Sequence, residues 1–295
     1  MRSKLEAGNF KAALRILCSD DASAPPNDAI LQALKDKHPG PAVDRRTPID
    51  PTGNLRYTPL QISPDDIRKS LPTFPIGSSG GPNGLTPQHL IDLLAGDSDN
   101  RLLNALTDLI NLMRAEKFDS DINTIIYGGW FIALLKKTAK CEPIAVGYVL
   151  RRLAAKCANS HVIEDCSKIL QPRQVGVGIA GVFEAAIHSA RRYISQLPSA
   201  HSFIKLDFAN AFNTLRRNLL LDTVAINTPE LYRFTLATYE CVPTLVYGSH
   251  TIPSREGPQQ GYPLSSLAFC ESIQPIPMNS TLIWKLVLST ICPRK

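Results

Sequence analysis

Apolar positions recur at helical spacing over much of the chain and condense in places into short runs of the kind that form strands. Leu5, Phe10, Ala13, Leu14 and Leu17 predict a helix over 5–17. A second helix follows Pro25-Pro26-Asn27, with Asn27 as N-cap and Ile30, Leu31 and Leu34 on one face. From His38 to Pro59 prolines recur and periodicity fades, which reads as a linker. Ser63-Pro64 and Thr86-Pro87 each put a capping hydroxyl before a proline at the first helical position, and Gly96 closes the second of these helices. A longer helix carries Leu102, Leu103, Leu106, Leu109, Ile110 and Met113. Further helices are predicted at about 148–158, 179–194 and 215–224, and after the Thr228-Pro229-Glu230 start. The stretches 131–135 and 203–208 read as strands, and Leu245-Val246-Tyr247, Gly248-Ser249, Thr251-Ile252 as a hairpin. The pattern is α/β (α+β) and helix-rich with a mixed or antiparallel sheet. It divides into an N-terminal helical segment (1–37), a Pro-rich linker (38–60), a main body (61–276) and a divergent tail (277–295).

Composition narrows this picture only a little. A chain of 295 residues can bury a core as one large or two ordinary domains, and 44% apolar with 20% charged residues is ordinary for a globular protein. The net charge of +6 and pI near 8.9 suit a polyanionic partner without requiring one. Seven cysteines are scattered, with no Cys-x-x-Cys pair and no Cys/His finger spacing. That argues against a zinc knuckle and a disulfide framework, and for reduced thiols in an intracellular protein, nuclear or cytoplasmic. The start, Met1-Arg2-Ser3-Lys4, is not followed by an apolar core, so a signal peptide is not expected. The apolar run at 282–291 is too short to span a bilayer and contains Lys285, so no membrane partner is expected.

The sharpest local feature is the stretch from Phe203 to Asn213, in which an apolar run delivers one carboxylate, Asp207. A strand ending in Asp suits a hard divalent cation, which wants oxygen ligands on a rigid element. A cap or turn produces the same pattern. Downstream, Gln260-Gly261 reads as a turn in which glycine admits close backbone approach to a ligand, or as an ordinary turn into a helix started by Pro263. Lys136, Lys137 and Lys140 are candidate phosphate contacts, and equally a solvated loop. Arg151, Arg152 and Lys156 stand at i, i+1 and i+5, so Arg152 and Lys156 share a helical face. That stripe either tracks a nucleic-acid backbone or faces solvent.

Taken together, the stretch 203–213 and Glu256-Gly257-Pro258-Gln259-Gln260-Gly261-Tyr262-Pro263-Leu264-Ser265 resemble the reverse transcriptase palm of non-LTR (LINE-like) retrotransposons. There the first segment reads Asp-x-x-x-Ala-Phe-Asp and the second Gln-Gly-Asp-Pro-Leu-Ser. Ser79-Gly80-Gly81-Pro82-Asn83-Gly84-Leu85 is similar to that domain's Gly-Pro-Asp-Gly loop. Pro143-Ile144-Ala145-Val146-Gly147 with Leu150-Arg151-Arg152-Leu153 is similar to its fingers segment, and 171–178 to its Gln-x-Gly stretch. The resemblance runs from about Ser78 to Gln274 in the family's order. It implies an incomplete right-hand polymerase fold, fingers and palm with an antiparallel palm sheet and no thumb. It implies an RNA-directed DNA polymerase, a nucleotidyltransferase using Mg2+, with an RNA template and DNA primer or an RNA–DNA hybrid as partners. In that scheme Asp207 is the catalytic and metal-binding carboxylate and Phe208 lends a backbone carbonyl. Phe212 is the aromatic that excludes a ribose 2′-hydroxyl; without the surrounding pattern it reads as a core aromatic. Gln260, Gly261, Lys136 and Lys137 bind the nucleotide, and Lys140, Arg151, Arg152 and Lys156 the nucleic acid.

Four departures from the family pattern point to an inactive enzyme. No aromatic-x-Asp-Asp element follows Gly261, and Asp222 is the last aspartate in the chain. The best local match to that element is Ile283-Trp284-Lys285-Leu286-Val287-Leu288, with both carboxylates replaced. Glu142 stands where the family carries an arginine facing the triphosphate, Tyr262 replaces the Asp after Gln-Gly, and Asn83 replaces the Asp of the glycine loop. The expectation is a reverse transcriptase domain fragment. The alternatives are a derived module that binds nucleic acid without catalysis, or a degenerate product with no selected function.

Overall fold

The computed structural model describes residues 2–6, 8–18, 22–40, 59–115, 118–135, 141–172, 174, 176–179, 181–199, 201–203 and 208–275. Three sequence expectations fall wholly or largely on other residues: the linker at 41–58, the heart of the 203–208 strand, and the tail from 276. The architecture is mixed α/β and helix-rich, with one small sheet.

The N-terminal helix predicted as one piece is two, α1 (Arg2–Glu6) and α2 (Phe10–Leu17). Gly8 between them takes φ +68°, and the Asn9 side chain accepts from Ala12 N–H to start the second helix. Next come strand β1 (Ala22–Ser23) and α3 (Asp28–Asp36), where Asn27 Oδ1 accepts from Ile30 N–H at 2.9 Å as the N-cap. In α4 (Pro64–Ser70) Ser63 and Asp66 form a complete capping box. In α5 (Pro87–Ala95) Thr86 and His89 do the same. Helix α6 (Arg101–Arg114) starts from Asn100 in the left-handed region, and Asp97 supplies the missing acceptors, taking Leu102 N–H and Leu103 N–H at 3.2 and 2.9 Å. Helix α7 (Ser120–Ile126) leads into β2 (Gly129–Leu135), then β3 (Cys141–Gly147) and α8 (Val149–Leu170). Helix α8 runs twelve residues past the predicted end because no Gly or Pro interrupts it and Val162, Cys166 and Leu170 continue its buried face.

Gly181, at φ +68°, delays α9 (Val182–Ser195). The chain then forms α10 (Ala211–Thr214), α11 (Arg217–Asn227), α12 (Tyr232–Tyr239), the hairpin β4 (Thr244–Tyr247) and β5 (His250–Pro253), and α13 (Ser265–Ile273).

The sheet is built on β2. One edge pairs antiparallel with β3 along its full length, Gly129 opposite Gly147 and Leu135 opposite Cys141. The other edge is shared: β1 pairs antiparallel at Leu134–Leu135, and β4 pairs parallel at Gly129–Trp130, carrying β5 beyond it. Two cores result. The larger surrounds α8, whose Ala154, Ala155, Cys157 and Ala158 are fully buried and let neighbouring helices approach closely. The smaller lies between α3 and the sheet, from Leu31 and Leu34 to Phe131, Ala133, Ala145 and Leu245.

This second core corrects one expectation. A Pro-rich linker after the N-terminal helices predicts that those helices pack loosely or separately, yet α3 is part of the sheet's core and Leu34 is fully buried. The pairing of β1 with β2 brings it there, through contacts that local sequence does not encode. We therefore expect Leu34→Ala to destabilise the chain by about 2–5 kcal/mol in urea unfolding, the cost of a buried cavity. A change below about 0.5 kcal/mol would mean that α3 is detached, since that is the range of exposed substitutions.

Candidate functional site

The two segments that carry the candidate chemistry meet around the Gln259-Gln260-Gly261 turn. Ala145 N–H of β3 donates to Gln260 O at 2.9 Å. Gly261 takes φ +99°, and a Cβ there would stand 2.9 Å from Ala145 O, so glycine is what lets the turn lie on the strand. Gln259 Nε2 donates to Tyr127 O at 3.1 Å, and Ser265 Oγ donates to Gln259 O at 2.7 Å, fixing the turn to the start of α13. Gln260 Nε2 donates to Glu142 Oε1 at 2.7 Å. A carboxylate from β3 thus occupies the amide of the residue expected to face a nucleotide, and it repels a triphosphate by like charge.

Arg151 lies beneath this turn and requires a correction. It was expected among phosphate-tracking residues, but it is 0% exposed. Its Nη1 donates to Tyr127 O and to Gly128 O. Its guanidinium lies 4.1 Å from the Tyr262 ring centroid and 5.5 Å from that of Tyr127. No carboxylate among the described residues stands within ion-pair distance of it; carbonyls at the end of α7 and two aromatic faces balance the charge instead. The signal was present in the sequence. Arg151 lies in line with Ala155, Ala158 and Val162 on the buried face of α8, one position away from the polar face.

Arg152 and Lys156 do share a helical face. Arg152 Nη2 donates to Ser79 O, and Lys156 Nζ donates to Thr73 Oγ1 at 2.9 Å. Both cations lie over the Phe74 ring, at 5.6 and 4.9 Å. Burial and the neighbouring Arg151 lower the Arg152 pKa to about 10, which leaves it charged at neutral pH.

The second segment is held by Arg217. Its backbone N–H donates to Glu256 Oε2 at 2.9 Å, its Nε to Gly257 O at 3.3 Å and its Nη2 to Ser254 Oγ at 2.8 Å. Gly257 packs against α10 so closely that a Cβ would fall 1.9 Å from Phe212 O. Phe212 stacks on Phe269 of α13, centroids 4.9 Å apart and planes 24° apart, and Phe208 is exposed. Sequence reasoning missed Tyr127, Arg217, Glu256 and Phe269, each of which acts through a contact distant along the chain.

Asp207, Lys136, Lys137 and Lys140 lie outside the described residues. Among the described residues no three His, Cys, Asp or Glu side chains gather as a metal site requires. No helix among them is long and apolar enough to cross a membrane. No family model matches the chain. A search of curated proteins finds no relative.

One further acid lies on α13, against α8. Glu271 of α13 is 1% exposed, accepting from Cys166 Sγ and Thr228 Oγ1, both at 3.4 Å. Burial drives its pKa up from 4.5 to about 7; the two hydrogen bonds oppose the shift and Glu230 adds to it. The folded state therefore holds a proton that the unfolded chain releases. The stability this confers is fully present below pH 4.5 and is lost as pH rises through about 7. Across that window the change is on the order of 3 kcal/mol. Glu271→Gln should flatten this slope in denaturation curves taken from acid to neutral pH; an unaltered slope would mean that Glu271 titrates alike in the folded and unfolded chains. For the clamp, Arg151→Lys should cost about 2 kcal/mol, because an ammonium cannot serve two carbonyls and two ring faces in one plane. Equal urea midpoints for the two chains would contradict it.

Proposed function

We propose that this chain is a reverse transcriptase (RNA-directed DNA polymerase) domain fragment of a non-LTR retrotransposon, with fingers and palm of a right-hand polymerase fold, catalytically inactive as it stands. The observation that carries the reading is the hydrogen-bonded contact between the Gln260-Gly261 turn and β3 at Ala145. These segments are 115 residues apart (260 minus 145), both resemble the family, and a nucleotide pocket needs them together. The packing of Gly257 on Phe212 of α10 supports it further, because it brings residues shortly after Asp207 against the approach to the same turn.

Inactivity follows from the groups present. Two-metal phosphoryl transfer needs carboxylates from at least two places; the Mg2+ ions would activate the primer hydroxyl and neutralise the leaving phosphates. Asp207 is the one carboxylate that the resemblance supplies. Glu256 accepts from the Arg217 backbone, Glu271 is buried, and Glu142 accepts from Gln260. At another departure, Tyr262 offers an aromatic face to Arg151 in place of an acid.

A second reading, a derived module that grips RNA or an RNA–DNA hybrid without catalysis, is favoured by Arg152 and Lys156 side by side over Phe74. Primer extension on an RNA template with magnesium or manganese should give no product. Extension that disappears in Asp207→Ala would overturn inactivity. Fluorescence anisotropy with a labelled hybrid should show binding that weakens as salt rises. Arg152→Ala and Lys156→Ala should each reduce the slope by about one, while Arg151→Lys leaves it unchanged. Affinity independent of salt would remove both nucleic-acid readings.

A further inference from the structure

The shared edge of β2 leaves a notch between β1 and β4, and a cleft of about 220 Å3 opens there. Its floor is the sheet face turned away from α3. Trp130 stands opposite both Val146 and Val246, with Ile132 two residues on, so all four project to the same side. Trp130 is 40% exposed although it lies at the centre of the sheet. The walls are the turn at Ser23, Ala24 and Pro26, the loop at Ser79 and the hairpin tip at Gly248. They are fixed in advance. Tyr247 Oη donates to Pro25 O at 3.2 Å, a Cβ on Gly248 would lie 3.0 Å from Pro26 Cβ, and Ser79 O accepts from Arg152.

None of the described residues lining the cleft carries a charge. The lining residues with side-chain hydroxyls are Ser23, Ser79 and Tyr247, and the Tyr247 hydroxyl is already bonded to Pro25 O. An apolar cavity of roughly 150 Å3 holds benzene, so this volume takes a two-ring molecule. Burying a charged group against this lining would cost its hydration with nothing to replace it. A flat tryptophan face favours a flat partner.

We propose that this cleft binds an uncharged, planar two-ring aromatic molecule, stacked on Trp130 and hydrogen-bonded at its edge by Ser23 or Ser79. Neither Gln260 nor Glu142 is among the residues that line the cleft.

The test is calorimetric titration of the full chain with indole-3-carboxamide, beside its charged near-isostere indole-3-carboxylate. The carboxamide should bind saturably in the sub-millimolar range and the carboxylate about tenfold or more weaker. Trp130→Ala should weaken the carboxamide by about tenfold or more. Because Trp130→Ala could disturb the sheet, Ile132→Trp fills the cleft from a neighbouring position. It should abolish binding while circular dichroism shows the fold retained. Absence of saturable binding by the parent chain, equal affinity for the two indoles, or undiminished binding in either folded variant would each overturn the proposal.

Discussion

The carbonyl of Tyr127 at the end of α7 is where the two halves of this molecule are joined. A helix ends with acceptors that its own backbone cannot fill. Here Arg151 from α8 and Gln259 from the turn before α13 both donate to that one oxygen. The Tyr127 ring closes against the Arg151 guanidinium, and its hydroxyl reaches back to Met113 O of α6. The first residue of β2 follows two positions later. The sheet with its small core and the helical body with its large one are thus tied through a buried cation that has no carboxylate partner among the described residues. A lone charge is tolerated at 0% exposure only because carbonyl dipoles and aromatic faces replace the water it lost.

That junction sets the geometry of the candidate site. With Gln259 bound to Tyr127, the next two residues must cross β3, and Gly261 is the residue whose missing Cβ permits the crossing. Gln260 is then carried to Glu142. Two departures from the family pattern, Glu142 and Tyr262, are therefore integrated into the same assembly. One is hydrogen-bonded to the turn and the other stacked on the arginine beneath it. Each substituted side chain therefore has a physical partner in the fold.

Much of the local architecture was legible in the sequence because it depends on neighbouring residues. The caps at Asn27, Ser63 and Thr86, the prolines behind two of them, and the hairpin about Gly248-Ser249 form where they were expected. Local reasoning faltered where one glycine redirected the chain, as at Gly8 and Gly181, and where no breaker marked an end, as in α8. The shared face of Arg152 and Lys156 was readable from their spacing of four. The burial of Arg151 was also readable, in its alignment with Ala155, Ala158 and Val162, but charge at a helix surface is the commoner arrangement and weighs against that reading.

Sequence alone determined the capped helix starts and the hairpin, which residues carry charge, and the order of segments that resemble a polymerase, because each rests on residue type and short-range spacing. Tertiary structure decided that α3 belongs to the sheet, that β2 shares one edge between β1 and β4, that Arg151 is a structural cation, and that Gln260 meets Glu142. Each of these is a contact between groups far apart in the chain. Such contacts follow from which surfaces exclude water together and which buried donors find acceptors, and no local pattern contains that information.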